Sequence, residues 1–112
     1  MNEADRVRLR HMLDAAREAL AFAQDRTLDD VRNDRMLALS LVKELEIIGE
    51  AAGRVSEDVK AMAPEVPWPV LVGMRNRLIH AYFDIDAEIV WITVTTGLPE
   101  LVDHLTRLVR PS

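Results

Sequence analysis

"DRMLALSLVKELEIIGEAAGR", residues 34–54, is the stretch that decides the fold. Leu37, Leu41, Leu45, Ile48 and Ala52 recur every three or four residues, the spacing that gathers side chains into one stripe of an α-helix. Leu39, Val42, Ile47 and Ala51 widen that stripe, and a stripe so broad touches more than one neighbour. The helix is therefore expected to serve the core and a contact between two copies at once. Gly49 sits inside it at a cost of ~1 kcal/mol relative to alanine; it either marks a close backbone approach or is simply tolerated.

Ahead of this segment, Glu3 to Gln24 carries Val7, Met12, Leu13, Ala16, Ala19, Leu20 and Ala23 at helical spacings, a second amphipathic helix. Between the two, Thr27 with Asp30 three residues on forms a capping-box start for one short turn. Behind it, Ser56 caps a short helix through about Met62, and Pro64, Pro67 and Pro69 end that element and start the next. The next helix is expected to run from Trp68 through Val70, Leu71, Met74, Leu78 and Ile79 to Ala81 or Tyr82. Asp84 or Asp86 caps a long final helix from about Ala87 to Val109, kinked at Gly97 and Pro99. No β alternation is evident. The expectation is one all-α domain over residues 1–112, an up-and-down bundle of four to five helices that pairs as a homodimer.

Composition narrows the function. There is no cysteine, so disulfides and thiolate metal sites are excluded, and His11 and His104 lack metal-ligand spacing to any partner; no metal site is expected. The charged start "MNEADRVRLR" has no signal-peptide core, and no apolar run approaches the ~20 residues that span a bilayer, so a cytoplasmic location without membrane association is expected. A net charge of −5 argues against general coating of DNA. Trp68 and Trp91 read as core anchors.

Against that acidic background, the window Val66–Phe83 holds Arg75, Arg77 and His80 without one Asp or Glu. A guanidinium binds phosphate in a bidentate way, and an imidazole gains or loses a proton near neutral pH. Together with a polar neighbour these groups suffice for metal-free RNA cleavage, in which the ribose 2′-OH attacks the adjacent phosphorus. On an ideal helix Arg75 and His80 lie about 140° apart, whereas Arg75 and Tyr82 lie within about 20°. One straight helix therefore cannot gather them; either it loosens before "FDID" or a second copy completes the pocket.

"RNRLIHAY", residues 75–82, resembles the Arg-x4-His-x-Tyr motif of HEPN-domain proteins of the HepT type. "IIGEAAGRVSE", "PEVPWPVLVGMRNRLIHAYFDID" and "EIVWITVTTGLPEL" are similar to that family's successive landmarks, so the likeness spans roughly residues 30 to 105. It implies a dimeric helical domain with both motif helices lining one cleft. It further implies a metal-independent endoribonuclease, the toxin of a prokaryotic toxin–antitoxin pair. The implied partner is a nucleotidyltransferase antitoxin that attaches AMP to the motif tyrosine; ATP serves that partner alone, and the toxin itself needs no cofactor. Residue by residue, the resemblance implies that Arg75 holds the phosphate, His80 acts as general base or acid, Asn76 orients His80 or the phosphate, and Tyr82 accepts AMP.

Other readings compete. Arg77 either adds affinity for RNA or is a solvated arginine. Glu46 or Glu50 either supports Arg75 from behind or lies on a solvated helix edge. For the whole chain, the alternative is a non-catalytic helical dimer that binds nucleotides or a nucleotidyltransferase partner.

Overall fold

Asn2 starts helix α1 (Glu3–Ala23) by accepting a hydrogen bond from Asp5 N at 2.8 Å. The structure, a computed structural model, describes residues 1–81 and 84–110, with the backbone alone at His80 and Ala81. Thr27 and Asp30 exchange the two bonds of the expected capping box at the head of α2 (Leu28–Asn33). Asp34 then caps α3 (Arg35–Arg54) through Leu37 N at 3.1 Å, and Ser56 caps α4 (Glu57–Met62). These boundaries follow from local side-chain chemistry; the sequence anticipates the caps at Thr27 and Ser56, and the structure adds Asn2 and Asp34.

Helix α3 is the hub. Its stripe of Leu41, Leu45, Ile48 and Ala52 is fully buried, and the helix packs on α1, α2 and the later helices. Leu39, expected to widen the stripe, instead points outward and is 46% exposed. At one end of the bundle, buried Asp5 accepts hydrogen bonds from Ser56 N at 2.9 Å and Ser56 Oγ at 2.7 Å. Those bonds hold the Asp5 carboxyl below its ordinary value. They also tie the start of α1 to the end of α3, while Arg6 Nη1 reaches Val109 O at the end of the last helix, α8 (Leu98–Val109), so α3 and α8 both run antiparallel to α1.

The segment after Pro67 corrects two expectations. In place of one helix to Ala81 or Tyr82 there are two short ones, α5 (Trp68–Val72) and α6 (Met74–Leu78), separated at Gly73. The chain then turns extended at Ile79, with φ −124° and ψ 109°, and β1 (Ile79–Ala81) pairs antiparallel with β2 (Asp84–Ile85). Ile79 faces Ile85 in this small hairpin, and Asp86 N donates to Leu78 O at 2.7 Å across its base. A β-branched residue opposite another is better satisfied in a ladder than on a helix end, which is why the helix stops early.

Asp86 caps α7 (Ala87–Ile92), a π-helical turn spans Thr93–Gly97, and α8 completes the fold. The expected irregularity near Gly97 and Pro99 takes the form of that turn, in which Leu98 N reaches back to Thr93 O. Pro99 has no N–H to offer Thr95, and one wide turn accommodates the loss. Trp68 is buried and donates from Nε1 to Ala63 O at 3.1 Å, and Trp91 packs half-buried on the core. The architecture is all-α apart from the hairpin, and no helix among the described residues is long and apolar enough to cross a membrane.

Candidate functional site

Helix α6 is five residues long and held at both ends: Met74 and Leu78, four apart, are buried. Between them Arg75, Asn76 and Arg77 all project outward. Two residues along a helix turn the chain by about 200°, so Arg75 and Arg77 leave α6 on different sides. The structure separates them accordingly.

Arg75 enters a groove of about 380 Å³ between α6 and α3, together with Glu46, Glu50 and Arg54. Gly49 and Gly53, one turn apart on α3, line the same groove. A Cβ at Gly49 would stand 2.7 Å from Leu71 O, so α5 lies against bare backbone there. This resolves the open question about Gly49 in favour of close approach. Gly53 would bring a Cβ no nearer than 3.9 Å to Val72, so its bareness leaves the groove open rather than letting a helix in.

The Arg75 side chain makes no hydrogen bond or ion pair with any described residue, although Glu46 and Glu50 share its groove. The guanidinium thus lines a cleft with its donors committed to no described residue, the state in which it can receive a phosphate. Glu50, named beforehand as a support for Arg75, occupies the right groove without contacting it. Asn76 is exposed and likewise has no hydrogen-bond partner among the described residues.

Arg77 lines a different, mainly apolar groove of about 280 Å³ with Met74, Ile89, Leu101 and His104. His104 is engaged there by Arg107 at 2.8 Å and lies 3.7 Å from Glu65. The structure brings together Arg75 and Glu50 and keeps Arg77 apart from them.

The backbone of β1 carries His80 two residues beyond the end of α6. The helical arithmetic that set His80 about 140° from Arg75 therefore stops applying at Leu78. The roles expected of the His80 side chain and of Tyr82 fall outside the described residues. Among the described residues, no cluster of three His, Asp or Glu could hold a metal ion.

Comparison with known proteins bears on this geometry. Residues 12–108 match the family model described as "Ribonuclease HepT-like". This chain belongs to the HepT-like ribonuclease family. A Thermococcus cleftensis protein named "Probable ribonuclease HepT" is 36% identical over 78% of this chain and 79% of its own length. A Methanocaldococcus jannaschii protein named "Putative RNase MJ1380" is also 36% identical, over 80% of this chain and 83% of its own. A Caldanaerobacter subterraneus protein named "Putative RNase TTE0752" is 30% identical over 91% of each. No solved structure matches. The HepT-like span contains the whole of α3, α5, α6 and the hairpin, so the groove around Arg75 lies inside it.

Reading the sequence missed Gly53 and Arg54 as groove residues. The signal was present as glycines four apart in "GEAAG", which on a helix share one face. What α3 would present that face to depended on the break at Gly73, which repositions α6.

Proposed function

We propose that this protein is a metal-independent endoribonuclease that acts as the toxin of a toxin–antitoxin pair in the cytoplasm. The observation that carries the reading is Arg75: a guanidinium that bonds to no described residue, in an open groove, near the start of a five-residue helix that passes directly into the strand bearing His80, in a chain of the HepT-like ribonuclease family.

In this mechanism Arg75 grips the scissile phosphate and offsets the charge that grows on it in the transition state. One His80 imidazole takes the proton from the ribose 2′-OH as that oxygen attacks phosphorus. The imidazole of a second copy gives a proton to the departing 5′-oxygen, leaving a 2′,3′-cyclic phosphate. A homodimer supplies both histidines, and Asn76 orients the phosphate or the ring. Inhibition follows when a nucleotidyltransferase antitoxin joins the phosphorus of AMP to the Tyr82 oxygen, releasing pyrophosphate from ATP. The added phosphate and base then repel and obstruct RNA beside Arg75.

Incubating the purified chain with tRNA or total RNA in EDTA, beside His80→Ala and Arg75→Ala, tests the reading. Fragments ending in 2′,3′-cyclic phosphate, lost in both variants, are expected. Equal cleavage by wild type and variants overturns it. Intact mass after coexpression with the nucleotidyltransferase should show added AMP that is absent in Tyr82→Phe; an unchanged mass leaves inhibition to simple masking.

A further inference from the structure

The groove at Arg75 does not end there. Glu50 and Arg54 also border an adjoining depression of about 160 Å³ between α3 and α1, whose walls are completed by Arg8, His11, Ile47 and Ala51. A path thus runs from α6 across α3 to α1. The chain carries 19 acidic residues against 14 Lys and Arg, yet this depression presents two arginines and a histidine against one carboxylate.

These groups are held without being used. Elsewhere Arg26 is bridged to Asp30 and Asp34, and Arg32 to Asp29 and Glu88. The side chains of Arg54 and His11 make no hydrogen bond or ion pair with any described residue. The charge of Arg8 is felt by Asp5, but the Asp5 oxygens accept from Ser56. Nε of Arg8 is buried with no hydrogen-bond partner. A buried donor left unpaired is costly, so the Arg8 side chain gains by turning toward an anionic oxygen in the depression it lines. The Asp5–Ser56 bonds clamp this end of α1 to the end of α3, so the spacing of Arg8 and Arg54 is built into the fold.

We propose that Arg8, His11 and Arg54 form a backbone track that holds the phosphates of the RNA strand neighbouring the one cleaved at Arg75. The proposal rests on the ribonuclease reading and deepens it by placing the rest of the substrate. Open, elongated and continuous with the groove at Arg75, the track suits a run of phosphodiesters better than a small anion. Glu50 at the junction only accepts hydrogen bonds, which fits a ribose hydroxyl and leaves the phosphates to the arginines on either side. Phosphate contacts carry no base identity, so the track adds affinity and not sequence preference.

The test measures binding of two unrelated fluorescent single-stranded RNAs to His80→Ala protein, with and without Arg8→Gln plus Arg54→Gln, across a salt series. The pair should raise Kd roughly tenfold for both RNAs and flatten the slope of log affinity against log salt by about 1.4, the value for two lost contacts on single strands. Arg17→Gln, an exposed arginine of α1 outside the groove, should change neither. If the double variant does not fold, Arg54→Gln alone should show half the change in slope. Unchanged Kd and slope while the wild type cleaves RNA overturn the track and leave the nuclease standing. A wild type that cleaves nothing, with the Kd shift present, overturns the nuclease and keeps the track. A chain that binds neither RNA overturns both.

Discussion

Helices α1 and α3 and the corner from Pro67 to Asp86 are built from similarly apolar sequence, yet they behave differently. In the first region every local signal agrees. Caps at Asn2 and Asp34 start the helices where the periodic stripes begin, and the stripes meet as the core. In the second, Val70, Leu71, Met74, Leu78 and Ile79 also keep a helical rhythm, but the chain divides at Gly73 and leaves the helix at Ile79. A competing partner, β2, is present there, and a bond from Asp86 N to Leu78 O closes the turn. Agreement between levels makes a rigid frame, and the one place where they conflict carries the residues with chemistry to offer.

If that division is sound, substitutions in the corner should remove activity and those in the frame should remove stability. The largest effect is expected at the corner. His80→Ala should lower RNA cleavage by roughly 10²–10⁴-fold, and Arg75→Ala by at least about 10²-fold. Arg75→Ala should leave the melting temperature nearly unchanged, because that side chain is exposed and bonds to no described residue. A fall in Tm that parallels the loss of activity would blur the two regions.

Next comes the seam between them. Gly49→Ala must push α3 away from Leu71 O, a backbone atom that cannot swing aside, and should cost about 1–3 kcal/mol despite alanine's better helix propensity. Thermal or urea unfolding reads it directly.

Within the frame, Glu44 is buried against α1 beside Glu18, and burial first, then a hydrogen bond and charge repulsion from Glu18, raise its carboxyl from 4.5 to about 7. The native state therefore keeps a proton that the unfolded chain releases. This contribution to stability is full below 4.5 and is lost as pH rises toward 7. Glu44→Gln, which copies the protonated form, should raise stability above pH 7 by about 1–2 kcal/mol, allowing for the exposure of Glu18. The gain should vanish toward pH 4.5, and unfolding curves at several pH values check it. The smallest effect is expected at Gly53→Ala, where the new methyl meets only Val72 at 3.9 Å. Helix propensity should then stabilise by up to about 1 kcal/mol, so the two glycines of one helix respond with opposite signs.

How legible the molecule was in its sequence depends on the range of the forces involved. The caps at Thr27 and Ser56, and Asp86 as one of two candidates with Asp84, were readable because each satisfies backbone groups three residues away. The Arg75 motif was readable because its residues are adjacent in the chain. Gly53, Arg54, Arg8 and His11 were not, since their meeting depends on α1 and α3 packing and on Asp5 reaching Ser56, 51 positions away. Arg77 was placed with Arg75 by nearness in sequence, and the turn of α6 sends it to another groove.

By itself, the sequence determined the helical class, the broad apolar stripe of α3, the caps at Thr27 and Ser56 and the residue types of the candidate site, since periodicity and capping act within a turn or two of helix. Only the tertiary structure decided where the motif helix stops, that Glu46, Glu50 and Arg54 share the groove of Arg75, and that Arg8 borders the depression beside it. Those outcomes follow from long-range packing and from the choice between a helix end and a hairpin, where local preferences nearly balance and the partner across the fold tips the result.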